Sequence, residues 1–426
     1  MQNLNIINIC IYIILNLCCL NKYFSSEDDD EDCCCCKWCK NKITKNNTDK
    51  QQSEKNNNKN IEEESNNSNS NNEKEDEENI EEEEEKEKEE EEEKEEEEKE
   101  EEEKGEEKEE EKKEEEKKEE EKIQKKFTNT KTLLGHENKV TAITQLKSGK
   151  LATGSYDNTI RIWDIAKNEE DKIIKEDERI LVLLEFEENK LLSGTANNIH
   201  LWDLNSNSEK YEKSFKGHYL WVNCLVKIDD QRFASASNDA HIKVWDYNSE
   251  KCIMDLTGHT DCILSLILLR NGKLCSGAAD TNIKIWDIEK KECIKTLIGH
   301  DKWVKCVFEL DNGIIVSGSD DRSIKLWEPK NNGEYKLLRT ITEHKHSVRT
   351  FCQIDENHFA SGSFDYTIKI WDINNWECVQ TLEGHKKNII GIIKLEIDGK
   401  PAIASCSNDY SIRIWEKEPP KKEGEN

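Results

Sequence analysis

The chain has 426 residues, with 63 Lys and Arg against 93 Asp and Glu and a formal net charge of −30. This length suggests two or three domains. Residues 1–126 hold 22 basic and 46 acidic side chains, a charge of −24, so residues 127–426, with 41 and 47, carry only −6. The acidic balance argues against a protein that binds nucleic acid or anionic membranes, because phosphate contacts need clustered Lys and Arg.

The composition of residues 1–40 predicts an apolar, Cys-rich leader that is mostly unstructured. Its apolar run at 6–20 is shorter than the roughly 20 residues of a spanning helix. It also lacks the basic start of a secretory signal, since the first basic residue is Lys22. S-acylation at Cys18 and Cys19 would instead make the protein a membrane-tethered adaptor. A signal, an anchor and neither all stay open.

The Cys run at 33–39 contains a C-x-x-C spacing, the ligand spacing of many zinc sites. No second ligand pair follows within the next 90 residues. The run is therefore interpreted as a disordered Cys-rich patch. No metal site and no cofactor are predicted for the chain.

Two polar segments follow the leader. Residues 41–72 predict a disordered Asn/Ser-rich linker, because so polar a segment buries too little apolar surface to offset its ordering entropy. Residues 73–126 form an acidic Glu/Lys-rich tail that is either disordered or a single charged helix. Pairs such as Glu90 with Lys94 favour a helix, whereas Glu-only stretches oppose it. The tail has no apolar stripe with which to pack.

From residue 127 the sequence repeats with a period near 41 residues. A Gly-His pair, replaced once by Glu343-His344, precedes a Trp-acid pair, and five of the six His-to-Trp spacings are 27 residues. The Trp of this second pair recurs seven times, so seven repeats are counted. These Trp residues are Trp163, Trp202, Trp245, Trp286, Trp327, Trp371 and Trp415.

Each repeat predicts four short strands, as in residues 259–299, where apolar alternation is broken by the Asn271-Gly272 turn. One such unit cannot bury both faces of its sheet, so seven units must pack radially into a closed ring. The Gly-His and Trp-Asp signatures resemble the WD-repeat family over about 290 residues. The predicted fold is all-β: a seven-bladed WD-repeat β-propeller over 127–418, with the disordered or charged-helix tail before it and a disordered tail at 419–426.

The two ends of the repeat region predict how the ring closes. The last unit ends at Trp415-Glu416 without a fourth strand, whereas residues 127–134 match the fourth strands of the other units. We therefore expect residues 127–134 to complete the last sheet and to cover the edge that an open ring would expose.

Most units carry a His, a Ser eight residues before the Trp and an Asp six before it. The resemblance implies that these residues and the Trp form a structural hydrogen-bonded tetrad. Catalysis is not predicted, because a triad is needed once whereas this set recurs and no oxyanion donor is visible. The predicted tetrads are His136, Ser155, Asp157, Trp163; His218, Ser237, Asp239, Trp245; His300, Ser319, Asp321, Trp327; His344, Ser363, Asp365, Trp371; and His385, Ser407, Asp409, Trp415.

Two units depart from this pattern. The unit ending at Trp286 lacks the Ser. In the second unit, alignment places Glu176 where the His belongs and Ala196 or Asn197 where the Asp belongs, with one residue deleted. We expect that second blade to form but to be less constrained.

Nine of the 17 Cys lie in the repeats, several at equivalent positions of different units. Such copies rarely approach to the distance that a disulfide needs. They are interpreted as small buried hydrophobic residues in a reducing compartment, which predicts a cytoplasmic or nuclear protein.

The resemblance implies that partners bind the face carrying the His and Asp loops. The positions concerned lie three and five residues after the His and directly before the Asp. In this sequence they give a candidate binding rim of Lys139, Tyr156, Arg179, Trp221, Asn238, Trp303, Lys305, Asp320, Arg349 and Phe364. Aromatic and basic residues are enriched in binding hot spots.

The leading hypothesis is a non-catalytic scaffold or adaptor that binds a protein or peptide on this rim, as a monomeric propeller without nucleic acid. One alternative is a subunit that reads phosphorylated or acidic peptides, since Lys305 and Arg349 occupy equivalent positions of neighbouring units. The other is the membrane-tethered adaptor.

Overall fold

The computed structural model describes residues 126–331, 333–397 and 399–417. The predictions for the leader, the linker, the acidic tail and the C-terminal tail lie outside these residues. The described residues form 28 β-strands and no helix.

The strands form seven antiparallel four-stranded sheets, here called blades 1 to 7. Blade 1 comprises β2 (Val140–Gln145), β3 (Leu151–Ser155), β4 (Thr159–Asp164) and β5 (Glu169–Lys175). Blade 2 comprises β6 (Val182–Glu187), β7 (Lys190–Gly194), β8 (Asn198–Asp203) and β9 (Lys213–Lys216). Blade 3 comprises β10 (Val222–Lys227), β11 (Arg232–Ser237), β12 (His241–Asp246) and β13 (Cys252–Thr257).

Blade 4 comprises β14 (Ile263–Leu268), β15 (Leu274–Ala278), β16 (Ile283–Asp287) and β17 (Glu292–Leu297). Blade 5 comprises β18 (Val304–Glu309), β19 (Ile315–Ser319), β20 (Ile324–Pro329) and β21 (Tyr335–Ile341). Blade 6 comprises β22 (Val348–Gln353), β23 (His358–Ser363), β24 (Ile368–Asp372) and β25 (Cys378–Leu382). Blade 7 comprises β26 (Ile389–Ile397), β27 (Lys400–Ser407), β28 (Ile412–Lys417) and β1 (Phe127–Leu133).

The first strands of neighbouring blades contact one another around a complete ring, with β26 of blade 7 against β2 of blade 1. The core lies between blades, where the two faces of each small sheet are buried. Between blades 4 and 5, for example, Ile283 and Ile285 pack with Val304, Ile315 and Trp327. The seven-bladed propeller predicted from the repeats is therefore confirmed.

Small residues on the second strands allow neighbouring blades to approach closely. A Cβ atom at Gly318 of β19 would lie 2.7 Å from Cys306 Sγ and 2.8 Å from Val348 Cγ1. Real Cβ atoms do not approach other atoms so closely, so a larger residue there would force blades 5 and 6 apart.

Blade 7 is completed by both ends of the described chain. Strand β1 pairs antiparallel with β28, from Phe127 opposite Lys417 to Leu133 opposite Ile412. The amide of Gln380 in blade 6 accepts from Phe127 N at 2.9 Å and donates to Phe127 O at 2.8 Å. The pairing expected for residues 127–134 is thus present. Gln380 of blade 6 also binds Phe127, the first residue of β1.

The propeller has two faces, which the strand directions define. The top face carries the loops before each first strand and the turns between second and third strands. The bottom face carries the other turns. Because β28 runs from Ile412 at the top to Lys417 at the bottom, Phe127 lies at the bottom of blade 7.

Candidate functional site

A buried hydrogen-bonded network connects the top loops to the Trp of each blade. In blade 5 the indole N–H of Trp327 donates to Ser317 Oγ at 2.8 Å, and this oxygen lies 2.8 Å from His300 Nε2. His300 Nδ1 lies 2.7 Å from Asp321 Oδ2. The side chains of His300 and Asp321 are 1% and 12% exposed, so the network satisfies polar groups inside the blade.

Six blades contain this network, each with a hydroxyl ten residues before the Trp. The sets of His, hydroxyl residue, Asp and Trp are His136, Thr153, Asp157, Trp163; His218, Ser235, Asp239, Trp245; His259, Ser276, Asp280, Trp286; His300, Ser317, Asp321, Trp327; His344, Ser361, Asp365, Trp371; and His385, Ser405, Asp409, Trp415.

The predicted Ser of the tetrads is therefore wrong, whereas the predicted His, Asp and Trp are correct. The replaced residues are Ser155, Ser237, Ser319, Ser363 and Ser407. Alternate residues of a strand face the same side of the sheet. The residues eight and ten positions before the Trp therefore both face the network. Only the one deeper in the strand reaches the indole. Blade 4, which lacks the later Ser, has a complete network through Ser276.

The predicted Ser residues hold the turn instead. Ser319 Oγ donates to Lys302 O at 3.2 Å and accepts from Asp321 N at 3.0 Å. It therefore joins the two top loops of its blade and positions the Asp. Ser155, Ser237, Ser363 and Ser407 make the corresponding contacts in their blades.

Blade 2 builds its network from different residues. The indole N–H of Trp202 donates to Ser193 Oγ at 3.0 Å, and Ser193 donates to Glu176 Oε1 at 2.9 Å. His200 Nδ1 lies 2.9 Å from the same carboxylate oxygen, and the His200 ring stacks on Tyr211 with centroids 4.0 Å apart. Glu176 thus occupies the His position, as predicted. His200 was not predicted from the sequence; it lies two residues before the Trp, where the other blades carry Arg or Lys.

The network carboxylates are held in the charged form. Burial acts to raise the pKa of Asp321, but hydrogen bonds from His300 and Ser323 lower it well below its ordinary range. Asp157, Asp365 and Asp409 behave in the same way. A buried carboxylate with its partners in place is a structural element, and its repetition in six blades fits that role better than catalysis.

The candidate rim lies on the top face, where backbone contacts bring its two kinds of position together. In blade 5 the N–H of Asp320 donates to the carbonyl of Trp303 at 3.0 Å, and in blade 3 the N–H of Asn238 donates to the carbonyl of Trp221 at 2.9 Å. All ten predicted rim residues are partly or fully exposed. Their contacts fall into two groups.

The first group comes from blades 1 to 3. The rings of Tyr156 and Trp221 meet edge to face, with centroids 6.3 Å apart, and the guanidinium of Arg179 lies 5.0 Å from the centre of the Tyr156 ring. Tyr156 and Trp221 belong to blades 1 and 3, so they meet across blade 2, whose turn at Ala196 is one residue shorter. Arg179 has no ion pair within the described part of the chain.

The second group comes from blades 5 and 6. The ammonium of Lys305 lies 4.5 Å from the centre of the Trp303 ring and 3.3 Å from Asp320 Oδ2. Asp320 also accepts a hydrogen bond from Ser347. Arg349 donates to the carbonyl of Lys305 at 2.8 Å. Asp320 therefore neutralises part of the positive charge that Lys305 and Arg349 bring to this group.

The remaining three rim residues, Lys139, Asn238 and Phe364, have local partners. The carbonyl of Lys139 accepts a hydrogen bond from the N–H of Tyr156 at 3.0 Å. Asn238 Oδ1 accepts from Asn223 Nδ2 at 2.6 Å, which fixes its orientation within blade 3. The ring of Phe364 stacks on His346 with centroids 6.0 Å apart.

The described cysteines have free thiols. Burial raises the pKa of the Cys224, Cys306 and Cys406 thiols to about 12, while the charge of Arg349 opposes that rise. These three thiols belong to blades 3, 5 and 7. Cys252, in contrast, is exposed.

No group of three or more His, Cys, Asp or Glu side chains in the part of the chain that the structure describes is arranged to hold a metal ion. Within the same residues, no helix is long and apolar enough to cross a membrane.

The family model described as "WD domain, G-beta repeat" matches residues 127–164, 209–246, 250–287, 291–328, 335–372 and 376–416. The matches omit most of blade 2, the blade with the substituted network. A comparison with curated protein sequences gave no match. The propellers of the matched family commonly act as scaffolds for protein interactions, generally without catalysis, and their ligands are typically proteins or peptides. The six matched segments span more than half of the chain, which belongs to the WD-repeat family.

Proposed function

We propose that this protein is a non-catalytic scaffold or adaptor that binds a protein or peptide on the top rim of its propeller. The observation that supports this most is the position of Trp303 and Trp221. Both indoles lie partly exposed on the top face, outside the buried networks that hold the blades together. Large aromatic side chains in such positions are typical binding anchors.

The rim residues are also held in place before any ligand arrives. The Lys305 ammonium lies over the Trp303 ring, and Arg179 and Trp221 contact the Tyr156 ring. A side chain that is already ordered loses less conformational entropy on binding. The clusters therefore combine an apolar surface with oriented cations, which suits a peptide that carries apolar and acidic side chains.

The experiment is affinity capture with the full-length protein as bait. Wild type is compared with a Trp221→Ala, Trp303→Ala variant. The matched control is Ile253→Ala, Val379→Ala, which removes apolar side chains that are 45% and 41% exposed on the outer strands β13 and β25. Proteins lost from the first variant and kept by the control bind the rim. If the control loses the same proteins, the rim is not the binding surface.

A second candidate function is the recognition of phosphorylated or acidic peptides. The observation that favours it is the hydrogen bond from Arg349 to the Lys305 carbonyl, which places two basic residues of adjacent blades side by side on the rim. An Arg349→Glu substitution should then weaken binding of an acidic ligand, more at low salt than at high salt. If the ligand is phosphorylated, phosphatase treatment should abolish the effect of the substitution.

A further inference from the structure

The top loop of blade 3 differs in composition from the other top loops. The comparison uses the two residues that follow the network His, or Glu176 in blade 2. In six blades this pair contains at least one charged residue; the pairs are Glu137-Asn138, Asp177-Glu178, Thr260-Asp261, Asp301-Lys302, Lys345-His346 and Lys386-Lys387. Blade 3 carries Tyr219-Leu220 instead, and Trp221 follows directly. Three consecutive bulky apolar or aromatic residues therefore lie on the top face of this blade.

These three side chains are not buried in the core. Tyr219 is 70% exposed, and Leu220 and Trp221 are partly exposed. The ring of Tyr156 extends the surface toward blade 1, because it meets the Trp221 ring edge to face. Single exposed apolar residues are ordinary on a protein surface, whereas a contiguous group marks an interaction site. Tyr156, Tyr219, Leu220 and Trp221 are here called the apolar patch.

The loop that carries the patch is held in place by blade 3 itself. The backbone N–H of Tyr219 donates to Asp239 Oδ2 at 3.1 Å, and the carbonyl of Leu220 accepts from Ser237 Oγ at 3.0 Å. Asp239 belongs to the buried network of this blade, so the loop is tied to the rigid part of the structure. A surface that is ordered before binding loses less conformational entropy when a ligand arrives.

A single cation borders the patch. The guanidinium of Arg179 lies 5.0 Å from the centre of the Tyr156 ring. Arg179 is exposed and forms no ion pair with any residue that the structure describes. The neighbouring carboxylate of Glu178 is held at the shortened turn of blade 2, where it accepts from Ala196 N at 3.1 Å. The guanidinium is therefore oriented beside the patch and complements a carboxylate, which it can bind through two parallel hydrogen bonds.

The basic residues of blades 5 and 6 offer a carboxylate less. The Lys305 ammonium already lies 3.3 Å from Asp320 Oδ2, and Arg349 already donates to the Lys305 carbonyl. A ligand carboxylate at that position would compete with Asp320 and be repelled by its charge. The charges on the top face therefore favour Arg179 as the residue that binds an acidic side chain.

We propose that the apolar patch and Arg179 bind a partner segment in which a bulky apolar side chain lies within a few residues of an Asp or Glu. The apolar side chain packs on Tyr219, Leu220 and Trp221, and the carboxylate binds Arg179. This inference rests on the proposed rim function, for which it names the chemistry of the ligand and the blades that read it.

The test uses the full-length protein to select from a displayed library of random dodecapeptides. Peptides enriched on wild type should combine Leu, Phe or Trp with a nearby Asp or Glu. Each should bind Tyr219→Ser, Leu220→Ser at least about tenfold more weakly. The matched control is Leu134→Ser, Ile298→Ser, which removes apolar side chains that are 72% and 76% exposed outside the patch and should keep the wild-type affinity. Equal selection by wild type and the patch variant would overturn the proposal.

Other outcomes separate this inference from the rim function on which it rests. Peptides that lose affinity for Trp303→Ala but not for the patch variant would overturn the patch and leave the rim as the binding surface. Peptides that bind all top-face variants equally well would contradict both. Sedimentation of wild type should show a monomer. A dimer that the patch variant loses would place a second copy of the chain on the patch and overturn the proposed ligand.

The predicted contact with Arg179 is measured by a double-mutant cycle. An enriched peptide and its analogue, with an amide in place of the carboxylate, are titrated against wild type and Arg179→Gln. The amide should weaken binding to wild type several-fold and leave binding to Arg179→Gln unchanged, because the variant has already lost the contact. The matched control, Arg349→Gln, should keep the wild-type difference between the two peptides. If Arg349→Gln abolishes that difference and Arg179→Gln keeps it, the carboxylate binds blades 5 and 6, and the proposal is wrong.

Discussion

His200 and Glu176 form a buried pair, with His200 Nδ1 2.9 Å from Glu176 Oε1, in which the carboxylate takes the position that the network His holds in the other blades. Elsewhere the loop before the first strand supplies the His and the turn supplies the carboxylate. In blade 2 the loop supplies the carboxylate and the third strand supplies the His. The blade with the most divergent sequence therefore keeps a carboxylate, an imidazole, a hydroxyl and an indole in contact.

This arrangement predicts that Glu176 is needed for the stability of blade 2. A Glu176→Ala substitution leaves His200 and Ser193 without their buried acceptor and should lower the free energy of unfolding by about 1 to 3 kcal/mol. Denaturant unfolding measures this change. The control is Glu188→Ala, at an exposed position on the bottom of the same blade. A cost at Glu188 as large as that at Glu176 would contradict the assignment.

Ser317 and Ser319 give a direct comparison of the two hydroxyl positions. Ser317→Ala leaves the indole N–H of Trp327 without a hydrogen-bond acceptor and should lower the free energy of unfolding by about 1 to 3 kcal/mol. Ser319→Ala should cost less, because blade 4 already has Ala278 at that position and a complete network. Chemical denaturation of the two variants measures the order. A larger loss for Ser319→Ala would restore the assignment made from sequence.

Asp321 should act on stability and not on ligand binding. An Asp321→Ala substitution removes the acceptor of His300 Nδ1 and of two backbone N–H groups, at a cost of about 1 to 3 kcal/mol. Thermal unfolding and ligand binding are measured on the same sample. Unchanged stability together with lost binding would make Asp321 a binding residue.

Acid should weaken the closing blade through His385. Burial lowers the pKa of His385 in the folded protein, although Asp409 opposes that shift. A group with a depressed folded pKa stabilises the fold above its unfolded pKa of about 6.5, and that contribution is lost as the pH falls. The network Asp carboxylates also have depressed pKa values, so their contribution is lost at lower pH, below about 4.

The measurement is the free energy of unfolding between pH 7.5 and 5.5, for wild type and for His385→Asn. Wild type should lose stability over this interval. The variant has no imidazole to titrate at this position, so its loss should be smaller. An equal slope in both proteins would show that another group controls the acid response.

The repeat made the fold predictable, because the spacing of His, Asp and Trp fixes four strands per unit and residues 127–134 match a missing fourth strand. The hydroxyl of the network was not predictable from spacing, since Ser317 and Ser319 face the same side of β19. His200 was missed because it takes a position that is basic in other blades. Its pairing with Glu176 depends on contacts within the folded blade.

The rim positions were predictable as top-face positions, but their electrostatics were not. Asp320 and Lys305 are 15 residues apart in sequence, and only the fold brings them within 3.3 Å. The contact between Tyr156 and Trp221 also depends on the shortened turn of blade 2. The positive charge around Lys305 is therefore lower than the residue types alone indicate, while Arg179 remains an oriented cation.

The most direct test of the proposed function is the dissociation constant of a captured partner, measured by titration calorimetry with wild type and with Trp303→Ala. A central anchor is worth about 2 kcal/mol or more, which corresponds to about a 30-fold weaker complex. We expect that loss with an unchanged melting temperature, and no loss for Ile253→Ala, Val379→Ala. An unchanged dissociation constant for Trp303→Ala, with weaker binding by the outer-strand variant, would contradict the rim as the binding surface.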